Sequence, residues 1–356
     1  MYIVYTDQHK QHATDKILRN GQPFTTAEVP ARAEIILKAL QSEQLGILKT
    51  PVDHGLEPIQ AVHDLDYINF LQKVYDESAN YFHRKEPVFP EIFAPRHPRR
   101  KPNRSYLLNG YYAFGTGGTP ILDGTWSAAY WSAQCALTAA DLIYQDNNRN
   151  ECRGVYALCR PPGHHASNDL YGGYCYLNNA AIAARYLENV SSYSMGEGLR
   201  STTKISILDI DYHHCNGTQE IFYSDPAVLV CSIHAHPDDH YPFFWGGANE
   251  IGEGPGKGYN HNWPLPAGTD DYSYLAVLDI ALKVILDFHP NFLIVSAGFD
   301  AADGDPICDF RLTPKGFFKI GKKISSLNLP TIIIQEGGYL LDKLGENAVS
   351  FLKAFA

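Results

Sequence analysis

Five short apolar runs in the second half of the chain constrain the fold more than any other feature. They are RGVYALC at 153–159, KISILDI at 204–210, AVLVCSI at 227–233, NFLIVSAG at 291–298 and PTIIIQ at 330–335. Runs that are apolar throughout, and not alternating, are typical of strands buried on both faces of a parallel sheet. Helical patterns at 126–145, 178–189 and 273–288 accompany them. The sequence therefore predicts an α/β fold, either doubly wound or a barrel.

Each of these runs ends abruptly in polar residues, which include most of the candidate functional groups. The polar segments are RPPGHHA, DYHHCNG, HAHPDDH, FDAADGDP and EGGY. In a parallel sheet flanked by helices, the active site gathers at the carboxyl ends of the strands. We therefore expect these five segments to meet in space.

Composition limits the classes of function. The chain has 356 residues, 45% hydrophobic content and a formal net charge of −10, which argues against a nucleic-acid or anionic-membrane binder with a basic face. Its seven cysteines are scattered and form no C-x-x-C pair, which indicates a reducing compartment. No signal peptide and no apolar run of about 18 residues is evident, so we expect a soluble cytoplasmic protein.

The segment 82–105 differs from the rest of the chain. It holds five prolines, seven Lys/Arg and two Glu, and prolines at this density exclude helix and central strand. Two interpretations are open: an exposed loop, or a loop that docks on a partner subunit or screens the mouth of the site.

Metal ligands are the first candidate chemistry. Asp211 and His213 are two residues apart at a predicted strand end, so both side chains point to the same side. Asp300, after another strand, would add a second carboxylate. Two carboxylates and a neutral imidazole suit a divalent ion and leave a position open for water or substrate. The alternative is that Asp211 and His213 only hydrogen-bond neighbouring loops.

The adjacent pair His164 and His165 could serve as general base and general acid, because imidazole titrates near neutrality. Asp209 and Asn216 lie beside the metal motif and are available to orient them. A carboxylate favours the imidazolium far more than an amide does, so the two pKa values would differ. The alternative is two surface histidines in a Pro-Gly turn.

Tyr339 follows two glycines in EGGY, a flexible turn that could bring its phenol to a polarised carbonyl oxygen. A tyrosine after Gly-Gly can equally be an ordinary loop residue. The glycine-rich stretches at 115–118 and 246–258 lack the K-[ST] ending of a phosphate loop, and we predict turns there.

The chain resembles the arginase–deacetylase superfamily, and within it the histone deacetylases and bacterial acetylpolyamine amidohydrolases. The resemblance rests on RPPGHHA, LDIDYHHCNGTQEIFY, PLPAGT, SAGFDAADGDP and EGGY, which occur in the family's order and spacing. It implies a single-domain, three-layer arginase/deacetylase fold over residues 1–356, with a central, mostly parallel eight-stranded sheet flanked by helices. The segment 82–105 is similar in position to the amidohydrolase insertion, which implies a homodimer interface that narrows the channel.

The resemblance also implies two ion sites. Asp211, His213 and Asp300 would bind Zn²⁺, and Fe²⁺ is the alternative in such a site. A structural K⁺ site would use the backbone carbonyls of Asp209, Asp211, His213 and Ile233, with Ser232.

Catalytic roles carry over in the same way. His165 would be the general base, supported by Asn216, and His164, oriented by Asp209, the other member of the pair. Tyr339 would stabilise the oxyanion. The substrate-binding residues implied by the resemblance are Tyr174, Tyr241, Ile307 and Gly337.

Departures from the family bear on specificity. Cys215 replaces a usual glycine, and we expect it to pack in the core. Tyr106 and Gly118 stand where polyamine-selective bacterial relatives have acidic residues, and Ile307 stands at a gatekeeper position that is Glu in a polyamine-selective eukaryotic enzyme. A cationic substrate favours carboxylates at the site mouth. We therefore expect polyamines to be less favoured here.

Two rival functions fit the sequence less well. A two-metal ureohydrolase needs further carboxylates where Cys215 and Gly298 stand, and neither residue offers a hard oxygen ligand. A binding module for acyl-lysine without turnover would not need the full catalytic set. The sequence favours a metal-dependent deacylase that acts on a small acylated amine or an acyl-lysine, with no direct nucleic-acid or membrane partner.

Overall fold

The computed structural model describes residues 1–14, 16–19, 22–95, 99–115, 118–147, 154–193 and 203–356. Its strands are β1 (Tyr2–Val4), β2 (Lys16–Arg19), β3 (Gln22–Thr25), β4 (Ile47–Lys49), β5 (Gly154–Ala157), β6 (Ile205–Asp209), β7 (Val228–Ala235), β8 (Asn260–Leu265), β9 (Phe292–Ala297) and β10 (Thr331–Gln335). Eight of them form one sheet in the order β4-β1-β5-β10-β9-β6-β7-β8, and every neighbouring pair is parallel. β2 and β3 form a separate antiparallel hairpin. The predicted eight-stranded α/β architecture is confirmed, with a central sheet that is wholly parallel.

Helices cover both faces of the sheet. They are α1 (Ala31–Ser42), α2 (Glu57–Gln60), α3 (Leu65–Phe82), α4 (Asn109–Tyr112), α5 (Thr125–Asn147), α6 (Asn179–Tyr193), α7 (Asn216–Phe222), α8 (Asp271–Phe288), α9 (Pro314–Ser325) and α10 (Leu341–Leu352). Short 3-10 turns occur at Asp7–Gln11, Ser105–Leu107, Gly254–Gly256 and Lys353–Phe355. The three predicted helices correspond to α5, α6 and α8.

The hydrophobic core has two parts, one on each face of the sheet. In β10, Ile332 and Ile334 point into the part formed with α3, α5 and α6, whereas Ile333 points into the part formed with α1, α8, α9 and α10. Successive strand residues face opposite sides, so a strand between two helical layers must be apolar at every position. This requirement explains why five strands were visible in the sequence as unbroken apolar runs.

The strand order decides where the functional segments lie. β5, β10, β9, β6 and β7 are consecutive neighbours in the sheet. The five polar segments that follow these strands therefore emerge side by side at one edge, as predicted.

The proline-rich segment forms neither helix nor strand where the structure describes it. Among the described residues between the end of α3 at Phe82 and the 3-10 turn that begins at Ser105, Val88 forms an isolated antiparallel β-bridge with Ile121. Residues 96–98 of this segment, 116–117 of the glycine-rich stretch and Arg153 of the first apolar run lie outside the described residues. Among the described helices, none has the length and apolar character needed to cross a membrane.

Candidate active site

Two carboxylates and an imidazole meet beyond the ends of β6 and β9. The Nδ1 atom of His213 lies 3.1 Å from Asp300 Oδ2 and 3.3 Å from Asp211 Oδ1. Both aspartates are buried, and the His213 side chain is 13% exposed. The remaining carboxylate oxygens accept backbone N–H groups, from Gly337 to Asp211 Oδ2 at 2.8 Å and from Tyr212 to Asp300 Oδ1 at 3.0 Å.

Glycines make room for this cluster. A Cβ atom on Gly337 would stand 2.4 Å from Asp300 Oδ2 and 2.6 Å from Asp211 Oδ2, and one on Gly298 would stand 2.1 Å from Asp211 Oδ2. Any side chain at either position would displace a carboxylate. Gly337, expected to bind substrate, therefore lies against the two aspartates.

The cluster fits a divalent metal. Ligands bound at 2.0–2.1 Å in a tetrahedral zinc site stand about 3.3 Å apart, close to the separations from His213 Nδ1. Burial and the charge of Asp211 raise the pKa of Asp300, while His164 and His213 hold the pKa of Asp211 well below its usual range despite its burial. A cation between the carboxylates would relieve their repulsion. The nitrogen and oxygen donors suit Zn²⁺ and also Fe²⁺.

A sulfur also approaches this cluster. One donor atom each of His213, Asp300 and Cys308 lie within 4.8 Å of one another. The sequence predicted no functional role for Cys308, although this residue directly follows Ile307, which stands at the expected gatekeeper position.

The histidine pair is buried, so the alternative of two surface histidines is wrong. The rings of His164 and His165 lie 4.0 Å apart, and both side chains are 3% exposed. His164 Nδ1 lies 3.1 Å from Asp209 Oδ2, whereas His165 Nδ1 lies 2.7 Å from Asn216 Oδ1. The predicted pairing with one carboxylate and one amide is therefore present.

The two histidines differ strongly in charge preference. Burial acts to lower the pKa of His164, but Asp211 and Asp209 outweigh it and raise the pKa to about 10. Burial holds the pKa of His165 well below its usual value, and the neighbouring His164 and His213 lower it further. The carboxylates thus favour the charged form of His164, and burial favours the neutral form of His165, which is the direction of separation expected of an acid and a base.

Tyr339 reaches the same cavity from the end of β10. Its backbone N–H donates to Asp305 Oδ2 at 2.8 Å, and its ring lies 5.8 Å from that of Tyr174. Burial raises the pKa of the phenol well above its usual value, against the opposing charge of Arg32. Tyr339 is therefore a neutral hydroxyl donor.

A cavity of about 380 Å³ leads to these groups. His165, His213 and Tyr339 line it, and so do Tyr174 and Tyr241. Ile307 and Gly118 also contribute to its wall, whereas Tyr106 stacks on Tyr81 beside a neighbouring cavity. Asp239 and His240 also line the cavity, so the approach to the polar cluster combines aromatic walls with one exposed carboxylate.

The wall at Tyr174 depends on backbone geometry. Gly173 and Tyr174 have φ values of +55° and +68°. A Cβ atom on Gly173 would stand 2.3 Å from Cδ2 of His165, so only glycine allows this approach. The Tyr174 N–H donates to Thr119 Oγ1 at 2.9 Å, which fixes the turn.

Of the residues expected to hold K⁺, Asp209, Ser232 and Ile233 lie on the adjacent strands β6 and β7, and Asp211 and His213 lie in the loop that follows β6. The β6–β7 register places Asp209 opposite Ser232, one residue before Ile233. Asp211 N donates to Asp209 Oδ1 at 3.0 Å, which curls the chain after β6. The K⁺ site stays a prediction.

Comparison with known proteins identifies the family of the chain. The model of the histone deacetylase domain matches residues 26–355. The chain belongs to the histone deacetylase family. The predicted membership in the deacetylase branch is confirmed, and the ureohydrolase interpretation is not favoured.

Relatives within the family extend over the whole chain. Acetylpolyamine amidohydrolase 1 of Pseudomonas aeruginosa is 42% identical and covers 100% of this chain and 99% of its own length. A probable deacetylase of Archaeoglobus fulgidus is 36% identical over 94% of this chain and 79% of its own. The crystal structure of acetylpolyamine aminohydrolase from Burkholderia pseudomallei has a TM-score of 0.89 and 36% identity, and covers 100% of this chain and 98% of its own.

Sequence patterns did not identify the buried charged residues that support the candidate active site. Glu28 Oε1 accepts from Arg32 Nη1 at 2.9 Å and from Arg160 Nε at 2.7 Å, and all three residues are buried. Arg160 stands in RPPGHHA and Glu336 in EGGY. Their position in these motifs was the one feature of the sequence that could have indicated a functional role. The pair Glu28 and Arg32 is spaced like an exposed helix pair, which hides its burial.

His214 also gains a role. Its Nε2 atom lies 3.1 Å from Gln219 Oε1 and 3.2 Å from Asn262 Oδ1, and its ring packs 4.5 Å from that of His234. His234 Nε2 lies 3.0 Å from the carbonyl oxygen of Gly246. His214 therefore supports the loop that carries the cavity wall at Tyr241.

Proposed function

We propose that the protein is a metal-dependent amidohydrolase that removes an acetyl or other short acyl group from an amine. The observation that carries this proposal is the floor of the cavity. There, the carboxylate–imidazole cluster of Asp211, His213 and Asp300 lies beside the buried histidine pair, and Tyr339 lines the same cavity. One histidine of the pair is held by a carboxylate and the other by an amide.

Asp211, His213 and Asp300 would hold Zn²⁺, with Fe²⁺ as the alternative. When bound, the metal polarises the acyl carbonyl and makes water more acidic. Three protein ligands would leave a position for water or substrate.

His165 is the proposed base. Its Nδ1 is engaged by Asn216 Oδ1, so in the neutral tautomer Nδ1 carries the proton and Nε2 is free to accept one. Water adds its oxygen to the carbonyl carbon and gives a proton to His165 Nε2. Tyr339 Oη donates a hydrogen bond to the resulting oxyanion.

Collapse of this adduct breaks the carbon–nitrogen bond. A histidine proton then passes to the departing nitrogen, which leaves as the amine while the acyl group leaves as the carboxylic acid; transfer of the acid proton to the amine gives carboxylate and ammonium. His164 Nδ1 lies 3.1 Å from Asp209 Oδ2, a contact that favours the charged form of His164 beside the reaction.

The proposed substrate is a small acylated amine or an acyl-lysine side chain. The names of the relatives support an acetylated amine, and the walls at Tyr174 and Tyr241 suit a thin alkyl chain. Gly118 and Ile307 bring no carboxylate to the cavity, which supports a weaker preference for polyamines than in relatives with acidic residues at these two positions. The exposed Asp239 is a carboxylate that lines the same cavity and would favour a cationic group there.

A competitive panel on the zinc-loaded protein tests this function. Acetylputrescine, acetylspermidine and an acetyl-lysine peptide would be compared by kcat/KM. We expect deacylation in wild type and a kcat loss of about 100-fold or more in Tyr339→Phe. No turnover of any member would overturn the function, and a much higher kcat/KM for the acetylpolyamines would overturn the substrate preference alone.

We further propose a structural K⁺ ion at the backbone carbonyls of Asp209, Asp211, His213 and Ile233, with Ser232. The side-by-side placement of Asp209 and Ser232 supports it. We expect K⁺ to raise the melting temperature more than Li⁺ does, and Ser232→Ala to reduce that difference. Equal melting temperatures in both salts would contradict the site.

The segment 82–105 is proposed to form a homodimer interface. Ile92 is 80% exposed, and Tyr81, Phe82 and Leu107 nearby also expose apolar surface around a cavity of about 920 Å³. Light scattering should give a dimer for wild type and a monomer for Ile92→Asp. Ile280→Asp, which alters an isoleucine that is 54% exposed on α8, is the matched control and should remain a dimer. A monomeric wild type would contradict the proposal.

A reducing compartment such as the cytoplasm is the proposed location. The six cysteines that the structure describes are all free thiols, which supports it.

A further inference from the structure

Glu336 is a buried acid that takes part in no step of the proposed reaction. It directly follows β10, three residues before Tyr339, and is 0% exposed. Its Oε2 atom accepts the N–H groups of Gly163 at 2.6 Å and His164 at 3.2 Å. One side chain therefore connects the turn that carries Tyr339 to the turn that carries the histidine pair.

The backbone of the same residue joins two more parts of the site. Its N–H donates to the carbonyl of Ala297, at the end of the strand that leads to Asp300, at 3.0 Å. Its carbonyl accepts Nη2 of Arg32, in α1, at 2.6 Å. Glu336 is thus the point at which the histidine turn, the Asp300 strand and α1 are all attached to the Tyr339 turn.

The histidine turn has little freedom to move in any other direction. A Cβ atom on Gly163 would stand 2.5 Å from the Asn179 nitrogen and 2.7 Å from the Leu177 carbonyl oxygen. The turn is therefore packed against the segment before α6 on one side and held by Glu336 through hydrogen bonds. The reach of the Glu336 side chain decides how far the histidines stand from Tyr339.

Only one of the two carboxyl oxygens of Glu336 makes these contacts. Oε1 is buried without a hydrogen-bond partner in the described part of the chain. Burial raises the pKa of Glu336 to about 8, against the opposing effect of His164. A group that is readily neutral can serve as a hydrogen-bond acceptor, and a carboxamide should replace it in that role.

We infer that Glu336 is a positioning residue of the proposed deacylation: its Oε2 sets the distance between the histidine pair and the Tyr339 hydroxyl. This inference rests on the proposed function. The base and the oxyanion donor act together in the transition state, so a shift between them lowers kcat. KM should change little, because Glu336 does not line the cavity.

Two variants separate the reach of the acceptor from its ability to ionise. Glu336→Gln keeps an oxygen at the same reach and removes the ionisable carboxyl, whereas Glu336→Asp keeps a carboxyl and withdraws the oxygen by one methylene. We expect Gln to retain kcat within about threefold and Asp to lower it by about 10- to 100-fold, with KM nearly unchanged in both. Asn347→Leu is the control for a buried polar loss, because Asn347 is 2% exposed in α10 and does not line the cavity.

The outcomes are distinct. A wild-type kcat in Glu336→Asp, or equal losses in Asp and Gln, would overturn the inference. A kcat loss in Asn347→Leu as large as that in Glu336→Asp at the same melting temperature would also overturn it. Metal content should equal that of wild type in all three variants.

A readout independent of turnover separates failure of this inference from failure of the function. In spectra of ¹⁵N-histidine-labelled protein, Glu336→Asp should shift the ring signals of His164 and His165, whereas Asn347→Leu should not. If wild type hydrolyses no acylated amine, the proposed function fails while these shifts still test the position of the histidines. Unshifted signals in Glu336→Asp would overturn the positioning role.

Discussion

The guanidinium of Arg32 lies 4.7 Å from the ring centre of Tyr339 and faces its π surface. Its Nε donates to the carbonyl of Gly338 at 2.6 Å, and its Nη1 donates to Glu28 Oε1 at 2.9 Å. Arg32 therefore holds the turn before Tyr339 by backbone hydrogen bonds and contacts the ring itself. A residue of α1 thus fixes a hydroxyl that lies more than 300 positions later in the chain.

Arg32→Lys should lower activity, although the charge is kept. Lysine lacks the planar fork that reaches Gly338, Glu336 and Glu28 together. We expect kcat to fall by about tenfold or more, with KM little changed, because the Tyr339 hydroxyl loses its fixed position. Steady-state kinetics measures this. Arg185→Lys is the matched control, since Arg185 pairs with Glu188 and Asp225 away from the cavity, and comparable kcat losses in both variants would contradict the prediction.

Asn216→Asp should move the pH profile. Neutral His165 is required as the base, and burial with the neighbouring charges of His164 and His213 holds its pKa well below the usual value. A carboxylate beside Nδ1 would favour the imidazolium and raise that pKa. The acid limb of kcat/KM should then move to higher pH by about one unit. Asn347→Asp places a new carboxyl outside the cavity and should leave the limb unmoved; a common shift in both would refute the assignment.

Metal removal should abolish activity and reduce stability. Without the cation, the buried carboxylates of Asp211 and Asp300 share the His213 imidazole, and Asp211 also lies 3.8 Å from His164 Nε2. A ligand at a thousandfold excess over its Kd stabilises the native state by about 4 kcal/mol, so chelation should lower the melting temperature and Zn²⁺ should restore it. Calorimetry with metal analysis measures both effects.

Cys308→Ser sharpens the metal experiment. Because Asp211, His213 and Asp300 supply three donors, this variant should retain its zinc. Loss of zinc in Cys308→Ser would show that the sulfur is a ligand.

For the chelation experiment itself, retention of both activity and melting temperature by the chelated wild type would contradict the metal site.

Glu28 should contribute stability that acid removes. Burial acts to raise its pKa, but Arg160 and Arg32 outweigh burial and lower the pKa from 4.5 to about 2. A depressed carboxyl pKa stabilises the fold above the unfolded value and loses this contribution as pH falls from 4.5 to about 2. The shift corresponds to about 3 kcal/mol.

Urea unfolding at several pH values checks this linkage. The stability advantage of wild type over Glu28→Gln should shrink across the pH window from 4.5 to about 2. Glu34→Gln, on an exposed glutamate of α1, controls for general acid unfolding and should show no such convergence. A constant difference between wild type and Glu28→Gln would contradict the prediction.

The central strands were predictable because a strand that is buried on both faces is an unbroken run of apolar residues. The strands missed were short or at the sheet's edge. β4 is exposed at all three positions, and β8 places the polar Asn260 and Asn262 toward a buried hydrogen-bonded cluster. Such strands owe their pairing to neighbours that lie far away in the sequence, so local composition does not reveal them.

The functional residues of the site could likewise be predicted where they directly follow the end of a strand. Asp211, His213, the histidine pair and Tyr339 meet because parallel strands deliver their following loops to one edge. The residue pattern indicated that Asp209 and Asn216 orient the histidine pair, but not which residues hold the turns in place. Glu28 and Arg32 look like ordinary surface charges in the sequence, and Glu336 stands in a motif without a visible role, yet the packing of α1 and the two turns buries all three. Their function depends on distances set across the folded chain, which no spacing within a motif encodes.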